Sequence, residues 1–172
     1  MEGGYIHAYY GNGKGKTTAA LGLALRCAGR GFKVGYTAFL KSFDSGEFIA
    51  ELPFHVFKNG GVTGFWKDFS DDKRRNVAII SKELLDEVFF HAAKENYDMI
   101  VLDEALNAVE AGALSEEYLL KLLNNRPKGL EVVLTGRNIT DAILDISHYV
   151  TEMKQIKHPY HSGTEARIGI EM

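Results

Sequence analysis

Apolar positions along this chain keep two different periods, short continuous apolar runs alternating with stretches in which every third or fourth position is apolar. Residues 5–10 read as a strand. Residues 17–30 read as a helix on which Leu21, Leu25 and Ala28 recur at helical spacing, with Gly29 and Gly31 able to end it. Residues 32–40 read as a second strand with Val34, Tyr36, Ala38 and Leu40 on one face. Residues 42–51 read as a loop and 52–57 as a short strand. Residues 59–69 carry glycines and two large aromatics, Phe65 and Trp66, with no clear period. Asp71 and Asp72 favour a helix start by opposing the helix dipole, and Val77, Ile80, Leu84, Val88 and Ala92 continue a helical stripe. Residues 99–102 form a buried-strand run ending in Asp103-Glu104. A polar helix over 115–125 stops at Arg126-Pro127. Residues 130–134 form another buried strand, followed by Thr135-Gly136-Arg137. A short helix over 140–144, a strand over 149–153 and a last strand around Ile168-Gly169-Ile170 complete the pattern.

Strands alternating with helices predict an α/β chain with a largely parallel sheet flanked by helices in three layers. Ligands of such sheets bind beyond the carboxyl ends of the strands. That places weight on the residues just past each strand. After the first comes Gly11-Asn12-Gly13-Lys14-Gly15-Lys16-Thr17-Thr18, opening a helix. A glycine-rich turn there can wrap backbone N–H groups around a phosphate chain, Lys16 can reach phosphate oxygens, and the Thr17 hydroxyl can ligate magnesium. The three-layer arrangement is thus expected to be a P-loop fold binding a nucleoside triphosphate. The loop is one residue short of the usual spacing, since only Asn12, Gly13 and Lys14 separate Gly11 from Gly15-Lys16. This argues against assuming ordinary γ-phosphoryl chemistry. After the central strand come Asp103 and Glu104, either of which can hold the magnesium ion beside Thr17; spacing does not choose between them. After the later strand comes Arg137, a candidate bidentate phosphate clamp or a plain surface arginine.

The 172 residues predict one domain over 1–172, with 45% apolar residues supplying a substantial core. A net charge of −3 provides no basic field for nucleic acid. The single cysteine, Cys27, forms no internal disulfide and sits among apolar residues, as a small core side chain would. Neither a secretory signal nor an apolar run of membrane length is visible, so the chain is expected to be cytoplasmic with no membrane partner. His158 and His161 flank Pro159-Tyr160 without an acid or cysteine to complete a metal site, and read as solvated. Asp71 to Arg75 reads as a solvated helix start. Phe65 and Trp66 fit equally a core anchor and an apolar wall for a flat ligand.

Taken together, these residues resemble the ATP:corrinoid adenosyltransferases of cobalamin synthesis and salvage. Residues 11–18 reproduce that family's phosphate loop, shortened spacing included. Ala28 to Val34, Val101-Leu102-Asp103-Glu104, Thr135-Gly136-Arg137, Thr151-Glu152-Met153, Lys157-His158-Pro159 and the run 163–171 are similar to further family segments. The chain departs from the family at Gly64-Phe65-Trp66, one residue shorter than the usual segment, at the compact stretch between Leu40 and Leu52, and at Ala38, where glutamine is common. The resemblance implies attack of a corrinoid Co(I) on the 5′-carbon of ATP, with triphosphate leaving whole and ATP lying reversed across the loop. It implies Lys16 and Arg137, with Lys14 and magnesium, stabilising the leaving group. It further implies Phe65 and Trp66 covering the lower corrin face, an electron-donating reductase as partner, and a homodimer. A kinase or ATPase acting at the γ-phosphate, and a non-catalytic ATP-binding switch, are the competing readings.

Overall fold

A computed structural model describes residues 3–42, 45–58, 66–159 and 163–170. Its sheet has six parallel strands: β1 (Ile6–Tyr10), β2 (Val34–Ala38), β3 (His55–Val56), β4 (Met99–Asp103), β5 (Glu131–Thr135) and β6 (Tyr149–Glu152), in the spatial order β3-β2-β4-β5-β1-β6. The helices are α1 (Lys16–Ala28), α2 (Gly46–Ile49), α3 (Asp71–Lys94), α4 (Ala105–Glu110), α5 (Glu116–Asn124) and α6 (Asp141–Ile146), with a 3₁₀ turn at Trp66–Asp68.

Alternation along the buried strands sorts the core onto two faces. On β4, Met99 and Val101 pack with Ala20, Ala24 and Cys27 of α1. Ile100 and Leu102 point the other way, into a larger cluster with Val77, Leu84 and Val88 of α3, Leu119 and Leu123 of α5, and Ile143 of α6. Small residues on α1 let that helix lie close over the sheet, and its start, where the phosphate loop delivers the chain, falls at the strands' carboxyl ends. The long α3 begins where its sequence says it should: the Ser70 hydroxyl accepts a hydrogen bond from Lys73 N–H at 3.3 Å, and Asp71 and Asp72 occupy the first turn.

The sequence reading and the structure differ in five places. The buried stripe of α1 is Ala20, Ala24 and Cys27, one residue out of step with the predicted Leu21–Leu25–Ala28 line; Leu25 is 54% exposed. Close approach to the sheet selects the small side chains, which periodicity weighted by hydrophobicity overlooks. The expected loop over 42–51 contains α2, and α4 comes directly after Glu104. The strand over 52–57 contracts to the two residues of β3. Residues 168–170 form a turn instead of a last strand, and that turn lies on the cavity described below. Cys27 is buried and its thiol pKa is raised, chiefly by desolvation, which makes it a poor nucleophile.

Candidate functional site

The phosphate loop is shaped by two glycines in the left-handed region, Gly11 (φ 113°) and Gly15 (φ 111°). It is braced from behind by the chain that leaves β6. Met153 N–H donates to Tyr10 O at 2.7 Å, and Gly13 N–H to Met153 O at 2.7 Å. Gln155 N–H donates to the Asn12 Oδ1 at 2.9 Å. A Cβ on Gly11 or Gly13 would lie 2.4 Å or 2.7 Å from Met153 O, so backbone passes backbone with no room for a side chain. Gly11 N–H is also committed, donating to Arg137 O at 2.9 Å. The N–H groups of Gly11 and Gly13 therefore hold the loop's shape, and the first turn of α1, at Lys16, Thr17 and Thr18, is turned to the cavity described below. Lys16 folds back so that its ammonium donates to Gly13 O at 2.7 Å. Burial lowers its pKa from the ordinary lysine value, the strongest of several influences on it.

Beside the loop, Asp103 is fully buried at the end of β4 and acts as a hub. Its Oδ1 accepts from the Thr17 hydroxyl at 2.9 Å and from the Thr135 hydroxyl at 2.7 Å. Its Oδ2 lies 3.1 Å from the Thr17 hydroxyl, 3.2 Å from the Tyr36 hydroxyl and 3.5 Å from the Lys41 ammonium. Thr135, on the strand between β1 and β4, also accepts from Glu104 N–H at 2.9 Å. One hydroxyl thus ties the ends of β5 and β4 together. Burial and the Asp103 charge raise the Tyr36 pKa, keeping that phenol a donor.

Glu104 takes a left-handed conformation (φ 59°), rare for a non-glycine residue, and this turns the chain from β4 into α4. Its carboxylate accepts from the Asn107 side chain. Burial first, then the neighbouring Asp103 charge, raises its pKa above the ordinary glutamate range. Asn107 Oδ1 in turn accepts from Arg137 N–H at 2.7 Å, and a Cβ on Gly136 would lie 2.5 Å from that of Leu106, so α4 sets the position of the Arg137 backbone. The Arg137 side chain is exposed.

These elements enclose a cavity of about 760 Å³. Of the predicted site residues, Asn12, Gly13, Lys14, Gly15, Lys16, Thr17, Thr18, Glu104 and Arg137 line it, whereas Gly11 and Asp103 stand behind the wall. The Lys14 ammonium donates to Ile170 O at 3.1 Å, which brings the turn at 168–170 onto the cavity rim. Trp66 is not part of this lining. It packs on the larger core cluster, 6.0 Å from the Phe69 ring centroid with Arg74 5.8 Å over its ring. Phe65 lies outside the described residues. His158 reaches the cavity rim, and His161 is outside the described residues.

Residues that the sequence reading passed over also line the cavity. Lys41 and Glu47 form an ion pair there, Asn107 joins them, and Leu21, Leu25 and Phe54 supply an apolar side. A lysine at the junction between the strand read over 32–40 and the loop read over 42–51, and a glutamate inside that loop, carry no periodic signal. The mismatch of an exposed leucine on an otherwise regular helix becomes visible only once the buried face of α1 is known.

The family model described as "ATP:corrinoid adenosyltransferase BtuR/CobO/CobP" matches residues 2–172. The chain is similar to the corrinoid adenosyltransferase of Escherichia coli (strain K12), 37% identical over 175 residues that take in 99% of this chain and 86% of that protein. It is similar to that of Salmonella typhimurium, 35% identical over 99% of this chain and 86% of that protein. The corrinoid adenosyltransferase of Pseudomonas aeruginosa is 32% identical over 99% of this chain and 84% of its own length. With the phosphate loop, the acidic strand end and the arginine turn gathered at one edge of a parallel sheet, and a match that runs from residue 2 to residue 172, this chain belongs to the ATP:corrinoid adenosyltransferase family.

Proposed function

We propose that this chain is a transferase that moves the 5′-deoxyadenosyl group of ATP to the Co(I) centre of a corrinoid and releases triphosphate. The observation that carries the reading is the cavity in which the first turn of α1, Lys16, Glu104 and Arg137 meet, in a chain of this family. In-line attack on the 5′-carbon needs no general base. It needs the negative charge growing on the departing triphosphate to be held, and Lys16, Lys14 and Arg137 stand where they can hold it. It also needs the two reactants fixed in line, which a walled cavity provides. Thr17 Oγ1 and the Glu104 carboxylate are hard oxygen donors on this wall. They suit Mg²⁺, and an ion held by them would neutralise charge on the leaving group. Asp103, whose oxygens already accept from Thr17, Thr135 and Tyr36, then acts by orienting Thr17. The single domain over 1–172, the homodimer, a reductase that supplies Co(I), and the corrin wall formed by Phe65 and Trp66 belong to the same proposal. The extent of the family match supports the first of these. Among the described residues no helix is long and apolar enough to cross a membrane.

The experiment is product analysis with ATP, Mg²⁺ and a corrinoid chemically reduced to Co(I). Free triphosphate and an adenosylated corrinoid in equal amounts are expected. ADP and phosphate formed without corrinoid would instead assign a γ-phosphate reaction.

A further inference from the structure

The chain leaving each of the parallel strands β2 and β4 passes through a non-glycine residue in the left-handed region, Leu40 (φ 53°) two residues beyond β2 and Glu104 (φ 59°) directly after β4. Such a conformation is costly for a side-chain-bearing residue and clusters where a chain must be aimed at a site. After β4 it delivers Glu104 to the cavity. After β2 it delivers the next residue, Lys41, to the same cavity. The Lys41 ammonium sits between the Glu47 carboxylate of α2, with which it forms an ion pair, and Asp103 Oδ2 at 3.5 Å. Its side chain is 27% exposed and that of Glu47 is 13% exposed, so the pair is largely withdrawn from water while still opening onto the cavity.

A pair serving only to pin α2 would not need this placement. Asp103 Oδ2 already accepts from Tyr36 and approaches the Thr17 hydroxyl, so the 3.5 Å contact from Lys41 adds little to it. An ammonium has three N–H donors, and Glu47 and Asp103 engage two of them. Lys41 and Thr17 approach the same carboxylate oxygen, so the Lys41 ammonium stands close to the first turn of α1, whose Lys16 folds back to Gly13 O. Lys16 and Lys41 both line the cavity into which that turn opens, so a polyphosphate lying on the turn would have both ammonium groups within the same cavity. We propose that Lys41 is a further phosphate-binding residue of this site, steered by Glu47 and donating its third N–H to the triphosphate chain.

The inference rests on the reading of the cavity as a triphosphate site, and its test separates the two. The probe is inorganic tripolyphosphate with Mg²⁺, titrated calorimetrically into the unaltered protein and into Lys41→Met, Lys41→Arg, Glu47→Gln and the double variant Lys41→Met/Glu47→Leu, each with a thermal melt. Loss of one charge-assisted hydrogen bond predicts tripolyphosphate affinity about tenfold weaker in Lys41→Met and in the double variant, and within about threefold of normal in Lys41→Arg and Glu47→Gln. The double variant removes both charges and so keeps the readout valid should a lone Glu47 carboxylate unfold the single variant. Equal losses in Lys41→Met and Glu47→Gln, or normal affinity in a folded Lys41→Met, would overturn the proposal and leave the pair as a pin for α2. Absence of tripolyphosphate binding by the unaltered protein would overturn the triphosphate reading of the cavity itself, and Lys41's role with it.

Discussion

At the scale of single residues, the site sets charge against burial. Lys16 is a partly withdrawn cation whose ammonium donates to Gly13 O. Lys16→Ala is expected to lower adenosyl transfer by on the order of 3 kcal/mol at the transition state, roughly a hundredfold or more, with an unchanged melting temperature. Single-turnover rates with pre-reduced corrinoid check it, and near-normal turnover would take Lys16 out of the site. Glu104 makes a stability prediction of definite sign. Burial raises its folded pKa above its unfolded one. Between those values the folded protein keeps a proton that the unfolded chain has released, so stability falls as pH rises through that window, and the penalty is fully present above it. The ligand-free Glu104→Gln protein, which keeps the acceptor for Asn107, is expected to melt higher than the unaltered protein at neutral pH. The difference should vanish below the ordinary glutamate value of 4.5. The same substitution should raise the magnesium concentration needed for activity by about tenfold or more. Melting curves across pH and a magnesium titration at fixed ATP measure the two effects, and an unchanged titration would remove Glu104 as a metal ligand.

At the scale of elements, the phosphate loop and the segment after β6 are one unit. Gly13 has Met153 O and Lys154 C where its Cβ would go, at 2.7 Å and 2.8 Å. Gly13→Ala must push the two backbones apart, with an expected loss of roughly 1–3 kcal/mol in stability and of most ATP affinity. Gly22 is the contrast. It lies in the interior of α1, and a Cβ there would meet nothing within 4 Å. In the ligand-free protein, Gly22→Ala is expected to stabilise by up to about 1 kcal/mol, from helix propensity alone. Denaturant unfolding of the two variants should move in opposite directions. The 3₁₀ turn carrying Trp66 belongs to a different neighbourhood, the large core cluster around α3. Trp66→Ala is accordingly expected to lose about 1–2 kcal/mol of stability from partial burial. If Trp66 also walls the corrin, the spectrum of bound Co(II) corrinoid changes while ATP affinity holds; an unchanged spectrum would leave only the core role.

At the scale of the whole molecule, strand order assembles the site from distant sequence. β5 separates β1 from β4, and its Thr135 hydroxyl bridges to Asp103, which in turn accepts from Thr17 at the start of α1. The chain's last described stretch returns to the same place, with Gly169 and Ile170 on the cavity rim and Lys14 donating to Ile170 O. Residues 163–170 are exposed throughout. Ending the chain after residue 162 should therefore shift the melting temperature by no more than about 2 °C, while ATP affinity changes by about threefold or more. Calorimetry of binding and melting on the shortened chain checks both, and an unchanged affinity would place the tail outside the site.

The sequence by itself determined the features that depend on neighbours along the chain. A glycine-rich turn between an apolar run and a helix stripe, Ser70 with Asp71 and Asp72 at a helix start, and five buried residues ending in Asp103 are legible because period, capping and turn chemistry are local. That the P-loop, Asp103-Glu104 and Arg137 share one edge was legible too, since each ends a strand of a parallel sheet. What only the tertiary structure decided depends on distance across the sheet. Which residues of α1 are buried was set by how closely the helix approaches β4, so Ala20 and Ala24 displaced Leu21 and Leu25. The stretch at 168–170 turns onto the cavity, where Ile170 O accepts from the Lys14 ammonium across the fold. The division of labour between the two acids, Asp103 buried among hydroxyls and Glu104 turned to the cavity, comes from backbone conformation at a single residue, as does the arrival of Lys41. No pattern of apolar and polar positions encodes a left-handed leucine or the partner that an ion pair finds across a cavity.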